Sequence, residues 1–150
     1  MILLFSFVSM ALYAQEKVNL GKMEEKQKNE YLVKLAKDVT KVISTESYNN
    51  CDFDREAYIE KRKNDEGRIF YTISFYPVGI GDKTHFSYYK MGKDGKLVEQ
   101  KRRYTAASVD VWENTGLPKL FMSGDNNGIF FNEEGKYSFY ELKKRYSDNK

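Results

Sequence analysis

The feature that most constrains this chain is a series of strand signals, separated by turn signals, that fills everything after about residue 54. The segment Ile69 to Tyr76 is rich in aromatic and β-branched residues and has the length of one strand. Its alternate positions give one apolar face, formed by Ile69, Tyr71, Ile73 and Phe75. A strand with one apolar face belongs to a sheet that packs that face on a core and leaves the other available.

The neighbouring segments continue this pattern as consecutive hairpins. A strand at Ala57 to Lys63 precedes the strand Ile69 to Tyr76 across a turn that ends in Gly67, and a strand at Thr84 to Met91 follows it. Asp94-Gly95 then predicts a tight hairpin, because Asp-Gly readily adopts the positive φ angles of a two-residue turn. Further strands are predicted at Ser108 to Trp112, Ile129 to Phe131 and Tyr137 to Leu142, with Pro118 breaking the chain between them. We therefore expect six to eight antiparallel strands in a meander.

One helix precedes the strands. Between Met23 and Ile43, apolar residues recur at steps of three and four, as in an amphipathic helix: Leu32, Leu35, Ala36, Val39, Val42 and Ile43. The fold class is therefore α+β, with one N-terminal amphipathic helix packed on a curved antiparallel sheet. By analogy this order of elements is similar to cystatin-like folds. The alternative is a small β-barrel with the helix outside.

The N-terminus indicates export. Residues 1–14 contain no charge, and the composition becomes strongly polar at Gln15. An apolar run of this length followed by Ala14 is typical of a secretory signal peptide, although no Lys or Arg precedes it. The run is too short for a helix that spans a bilayer, which needs about 20 apolar residues. We predict a signal peptide at residues 1–14, one domain at residues 15–150 and a periplasmic or secreted location; a buried N-terminal element or a membrane anchor is the alternative.

Charge and cysteine content limit the partners and the chemistry. With 25 basic and 22 acidic residues the net charge is +3, which is too small for a typical nucleic-acid-binding domain. We therefore predict no nucleic-acid partner, and the short N-terminal apolar run predicts no stable membrane span. Cys51 is the only cysteine, so it is either buried or paired with another molecule. His85 is the only histidine, and no local signature links it to Cys51 as a catalytic pair.

One segment partly matches a calcium loop. Between Ser123 and Glu134, the residues Asp125, Asn127 and Glu134 occupy the third, fifth and twelfth positions of an EF-hand pattern. The flanks do not match, because Pro118 and Gly135 lie where the motif requires helices. An Asn-Gly turn between strands is the preferred interpretation, and calcium at these three residues is the alternative. No other cofactor is predicted.

Aromatic and basic residues alternate with each other on the predicted strands, which suits a recognition surface because tyrosines bury area at low entropic cost. The candidate ligand-binding residues are Tyr76, Tyr88, Tyr89, Arg103 and Tyr104. The leading hypothesis is an exported, non-catalytic binding or accessory domain for a protein or polysaccharide, one form of which is an enzyme inhibitor that inserts the loop Gly79 to Thr84. The alternatives are a carboxylate-dependent extracellular hydrolase, a structural envelope component, and a solvated strand face whose charges only protect a sheet edge.

Overall fold

The computed structural model of the chain describes residues 16–137. The predicted signal peptide and most of the predicted strand Tyr137 to Leu142 lie outside this range. The described residues form an α+β structure with one main helix and seven strands in two antiparallel sheets. The predicted fold class is therefore confirmed at this level, whereas the analogy to cystatin-like folds stays a prediction.

The predicted helix is confirmed as α1, Glu25–Ile43, and a short 3-10 turn, Leu20–Lys22, precedes it. A second, short helix, α2, Thr45–Asn50, follows directly and was not predicted. Ser44 separates the two, and its side-chain Oγ accepts a hydrogen bond of 3.1 Å from the Ser47 N–H. The polar residues that end α1 therefore also cap α2, because serine satisfies a free N–H of the first turn. No helix within residues 16–137 is long and apolar enough to cross a membrane.

The strands are divided between a main sheet and a separate pair. Their bounds are β1 Tyr58–Lys63, β2 Ile69–Phe75, β3 His85–Met91, β4 Leu97–Arg103, β5 Ala107–Trp112, β6 Pro118–Ser123 and β7 Gly128–Phe130. The main sheet has the order β1-β2-β5-β6-β7, and among the described strands β3 pairs only with β4. The expectation of one sheet of consecutive meander strands was wrong, because β3 and β4 leave the main sheet between β2 and β5. The expected break at Pro118 was also wrong, because Pro118 begins a strand, a position where the missing N–H of proline is tolerated. The alternative of a closed barrel is not formed by the described strands.

The core lies between α1 and one face of the main sheet. The alternate residues Tyr71, Ile73 and Phe75 of β2 are buried, as predicted from their spacing. They pack with the buried face of α1 and with apolar residues of β5 and β6, in a cluster that includes Leu32, Leu35, Ala36, Val39, Val109, Val111 and Phe121. The opposite face of the sheet bears Phe70, Thr72 and Asp110, which alternate with these core residues.

Four turns share one geometry. In each, the residue in the fourth position donates its N–H to the first carbonyl and has a positive φ: Gly67 (81°), Gly95 (75°), Asn126 (67°) and Gly135 (71°). The expected two-residue turn at Asp94-Gly95 was wrong, because only Gly95 of the pair has a positive φ. The turn has three residues between Gly92 and Lys96, which matches a type I turn followed by one left-handed residue.

Candidate functional site

The most exposed part of the described structure is the pair of strands β3 and β4, which we call the ribbon, residues 85–103. It is an insertion in the β2–β5 hairpin, since Phe75 pairs with Ala107 across the point where it leaves the main sheet. Every residue of β3 and β4 is exposed except Arg103, which is half-buried. The ribbon therefore projects from the sheet and contributes almost nothing to the core.

The ribbon carries the positive charge of the chain. It has six basic and two acidic side chains, whereas the other 131 residues have 19 basic and 20 acidic ones. The net charge of +3 is thus a ribbon of +4 on a body of −1. Such a separation gives the projecting part a local potential that attracts acidic groups.

The predicted ligand-binding tyrosines of β3 lie on opposite faces of the ribbon, because successive side chains alternate along a strand. On one face the ring of Phe86 lies 6.3 Å from that of Tyr88 and 5.0 Å from that of Tyr104. On the other face lies Tyr89, with Met91 and Leu97 paired two residues further along. The structure therefore brings Tyr88 and Tyr104 together on one surface and places Tyr89 on another.

The two remaining predicted residues, Tyr76 and Arg103, anchor the ribbon. Arg103 donates a hydrogen bond to the Tyr76 hydroxyl, and its guanidinium stacks 3.6 Å from the ring centre of Tyr58 in β1. Arg55 lies 4.1 Å from the ring centre of Tyr76 and donates to the Gly81 carbonyl at 2.8 Å. We call these four side chains, Arg55, Tyr58, Tyr76 and Arg103, the base cluster. Tyr76 is buried within it and contacts both arginines.

Sequence reasoning missed Arg55 and Tyr58. Arg55 lies among acidic residues, Asp52, Asp54 and Glu56, which made a surface ion pair the natural interpretation. Instead its guanidinium faces a ring and two backbone carbonyls. Nothing in the spacing of the sequence indicates a contact between residues 55 and 81.

An open cleft of about 1250 Å³ lies at the base of the ribbon. The ribbon and the residue after it contribute Phe86, Arg102, Arg103 and Tyr104, so the surface that carries Tyr88 continues into the cleft. The lining also includes polar residues from α2 and from the β6–β7 turn, among them Glu46, Asn49, Asn50, Asp125, Asn126 and Asn127. Arg102 donates to the Asn126 side-chain oxygen at 2.8 Å, which connects the ribbon with this turn.

The predicted calcium residues are distributed over two turns. Asp125 and Asn127 lie in the β6–β7 turn. The side-chain amide of Asn127 donates to the Asp125 carboxylate at 3.0 Å, and the Ser123 hydroxyl donates to the same carboxylate. These bonds lower the pKa of Asp125, the Ser123 bond most. Glu134 lies in the next turn, after β7, and pairs with Lys136 at 3.2 Å. Within residues 16–137, no group of three or more His, Cys, Asp or Glu side chains is placed to hold a metal ion.

Cys51 and His85 have separate surroundings. The Cys51 thiol is buried and donates to the Ser47 carbonyl at 3.1 Å, and burial raises its pKa to about 11. The thiol is therefore protonated at neutral pH, which removes the nucleophilic thiolate. His85 is exposed at the start of β3, where its Nδ1 lies 2.8 Å from the Thr84 hydroxyl. Of the two alternatives that the sequence left open for Cys51, the structure shows the buried one.

Two ionisable clusters lie on the main sheet. The Tyr71 hydroxyl donates to Glu113 at 2.6 Å, and Lys61 lies 3.2 Å from the same carboxylate. The Tyr71 bond lowers the pKa of Glu113, and burial, followed by that bond, raises the pKa of Tyr71 to about 12. On the other face, Asp110 accepts a 2.7 Å bond from Thr72, and burial raises the pKa of its carboxyl. Every buried polar side-chain atom in residues 16–137 has a hydrogen-bond partner, as is usual in folded proteins.

Comparisons of the chain with protein-family models, with curated proteins and with solved structures find no match.

Proposed function

We propose that the mature chain is an exported, non-catalytic binding domain that presents the ribbon to an acidic protein or polysaccharide partner. One observation carries the proposal: a projecting two-stranded element concentrates six basic side chains in a chain whose remaining residues are nearly neutral. Charge of this kind accelerates association with an acidic partner and selects against basic ones.

The exposed apolar residues of the ribbon support the same function. Tyr89, Met91 and Leu97 are 67%, 61% and 66% exposed, which is unusual for large side chains clustered on one element. They do not contribute to the core, so their burial by a partner is the simplest reason to expose them. Tyr88 and Tyr104 supply aromatic area on the other face, next to the cleft.

The non-catalytic part of the proposal rests on the chemistry of the described residues. The Cys51 thiol is held protonated against a backbone carbonyl, and His85 contacts a neighbouring threonine. An enzyme inhibitor is one form of such a binding domain. In that form the inserted segment would be the turn between Gly92 and Lys96, because the loop that ends at Thr84 is held at the base by Arg55.

The test uses charge reversal on and off the ribbon. The double variant Lys90→Glu/Lys101→Glu brings the ribbon from +4 to zero, and Lys26→Glu/Lys63→Glu makes the same change in net charge at exposed sites elsewhere. Binding to immobilised polyglutamate and to dextran sulfate would be measured by biolayer interferometry, with uncharged dextran as the blank. We expect the ribbon variant to lose about tenfold or more in affinity for at least one polymer, and the control variant to lose much less. Equal losses of affinity in the two variants, or no binding of either polymer by the wild type, would contradict the proposal that the ribbon binds the partner.

Export is tested separately, by the intact mass of the protein recovered from the fractionated host. A species that begins at Gln15 outside the cytoplasm supports this part of the proposal. A cytoplasmic species that keeps residues 1–14 contradicts it, and the binding measurement above is unaffected by that outcome.

A further inference from the structure

We propose that the partner of the ribbon is an acidic, extended polypeptide segment that pairs as a third strand with the outer edge of β4. The inference rests on the proposed function and specifies its partner. It is argued from the hydrogen-bond pattern of the ribbon, from its exposed apolar residues and from the distribution of charge between its strands.

The edge of β4 presents a regular row of backbone groups. At the two ends of the ribbon, Gly92 N–H donates to the Lys96 carbonyl at 2.8 Å and Tyr104 N–H donates to the Thr84 carbonyl at 2.9 Å. These bonds fix which residues face inward, because hydrogen-bonded and non-bonded pairs alternate in an antiparallel ladder. The even-numbered residues of β4 therefore bond to β3, and the backbone groups of Leu97, Glu99 and Lys101 point outward.

A ribbon of two strands is incomplete as a structural unit. Within residues 16–137 no third strand pairs with β3 or β4, and a two-stranded hairpin alone is only marginally stable in water. The outward row of N–H and C=O groups is a template for one more strand. A strand added at β4 would also cover Leu97, which is 66% exposed.

Charge selects both the edge and the partner. From Leu97 to Arg103, β4 carries three basic residues and one acidic residue, whereas β3 carries only Lys90. An acidic strand therefore gains more at the β4 edge. A second copy of this chain would bring two ribbons of +4 together, so charge disfavours self-association there.

The order of residues along the ribbon disfavours a lipid surface. The turn that forms its tip carries Lys93, Asp94 and Lys96, and it lies beyond Met91 and Leu97. Insertion of the tip would bring these charges into hydrocarbon before the apolar side chains. An acidic polysaccharide matches the charge of the ribbon but has no continuous row of peptide N–H and C=O groups to pair with Leu97, Glu99 and Lys101.

The alternation of side chains also predicts the pattern of the partner. Leu97 and Lys101 lie on the same face of the ribbon, four residues apart, with Glu99 between them. An added antiparallel strand would place an apolar residue opposite Leu97 and an acidic residue opposite Lys101. The heptapeptide acetyl-EEETTVV-amide follows this pattern and is the probe for the test.

Two N-methylated forms of this peptide make a matched pair of controls. Methyl groups on the third, fifth and seventh residues block the edge that would face β4, and methyl groups on the second, fourth and sixth residues block only the outer edge. Binding to the full chain would be followed by NMR hydrogen exchange. We expect the unmodified peptide and the second form to slow exchange of the Leu97, Glu99 and Lys101 amides by about tenfold or more at saturation. The first form should not bind.

Three results would overturn the inference. They are equal binding of both methylated forms, protection of the Ser87 and Tyr89 amides in place of the β4 amides, and no binding of the unmodified peptide. If the peptide fails while binding of polyglutamate or dextran sulfate still depends on Lys90 and Lys101, strand addition is wrong and the proposed function stands. If neither probe depends on the ribbon, both are wrong.

The register has its own test. Lys101→Glu should weaken binding of EEETTVV by about tenfold, and the peptide EEKTTVV, with lysine at the opposing third position, should restore it. Failure of this exchange of charges would contradict the proposed register, since cross-strand pairs of like charge are destabilising.

Discussion

The guanidinium of Arg103, the last residue of β4, stacks 3.6 Å from the ring centre of Tyr58 in β1. The same guanidinium donates to the Tyr76 hydroxyl, directly after β2. One side chain of the ribbon thus contacts two elements of the main sheet that are separated from it by more than 25 residues. Among the described strands β3 and β4 pair only with each other, so the direction of the ribbon depends on this base cluster and on the hydrogen bond from Arg102 to Asn126.

We expect Arg103→Ala to loosen the ribbon without unfolding the domain. A partly buried cation–π contact contributes about 0.5–2 kcal/mol, which should appear as roughly tenfold faster hydrogen exchange at Val98 and Gln100. The global free energy of unfolding should change by less than about 1 kcal/mol, since the ribbon contributes little to the core. Arg103→Lys, which keeps the charge but loses the planar stack, should give an intermediate rate. Wild-type exchange rates in the alanine variant would show that the stack does not hold the ribbon.

Alanine substitutions at two glycines in equivalent turns compare the stability of the ribbon with that of the main sheet. Gly67 (φ 81°) and Gly95 (φ 75°) both have positive φ, and an added Cβ meets no atom within 4 Å at either site. Alanine should therefore cost only the backbone strain, about 1–2 kcal/mol, in both turns. We expect Gly67→Ala to lower the free energy of unfolding by about 1 kcal/mol in urea titrations followed by Trp112 fluorescence, because its hairpin belongs to the main sheet.

Gly95→Ala is the matched variant, and it should leave that unfolding curve nearly unchanged while it accelerates exchange in β3 and β4. Equal loss of global stability in both variants would mean that the ribbon folds as part of the main sheet.

The sequence predicted the elements better than their assembly. The alternation of Tyr71, Ile73 and Phe75 identified β2 and the face that packs on the core, and Phe70 and Ser74 on the opposite face are buried as well. In β4 the residues Leu97 and Val98 are adjacent, so neither face is consistently apolar. That lack of alternation indicates that neither face of β4 packs on a core. The adjacent Tyr88 and Tyr89 indicate the same for β3.

The contacts that hold the base of the ribbon could not be predicted in the same way. The base cluster joins Arg55 to Tyr76 and Arg103 to Tyr58, contacts set by how separate hairpins pack. Local patterns carry no information about such pairs, whereas the turn residues are specified by local backbone geometry. The positive φ of Gly67, Gly95 and Gly135 illustrates this, since glycine adopts that conformation without a steric cost.

Cys51 should be unreactive in the folded protein. Burial raises the pKa of its thiol from an ordinary value of 9.0 to about 11, so at pH 8 the thiolate fraction is about 100-fold smaller than in the unfolded chain. We expect a disulfide reagent such as DTNB to react at least tenfold more slowly with the native protein than with the protein in 6 M guanidinium chloride. Rapid stoichiometric reaction of the native chain would contradict the burial of the thiol. Cys51→Ala should leave polymer binding unchanged.

Asp110 gives the domain a predictable dependence on pH. Burial raises the pKa of its carboxyl above the ordinary value of 3.8, and the nearby Thr72 and Lys119 only partly oppose this effect. A carboxyl whose pKa is raised in the folded state favours folding below the unfolded-state pKa, near 4, and loses that contribution as pH rises through the folded-state pKa. An asparagine side chain at this position cannot ionise, so the variant Asp110→Asn should lack this loss.

The stability of Asp110→Asn relative to the wild type should therefore increase between about pH 3 and pH 7, as measured by urea unfolding at each pH. Lys119, whose Nζ lies 3.7 Å from the Asp110 carboxylate, provides the second variant. Lys119→Met removes a positive charge that lowers the carboxyl pKa, so its stability should fall more steeply over the same range than that of the wild type. Parallel stability curves for the wild type and Asp110→Asn would show that Asp110 ionises in the fold as easily as in water.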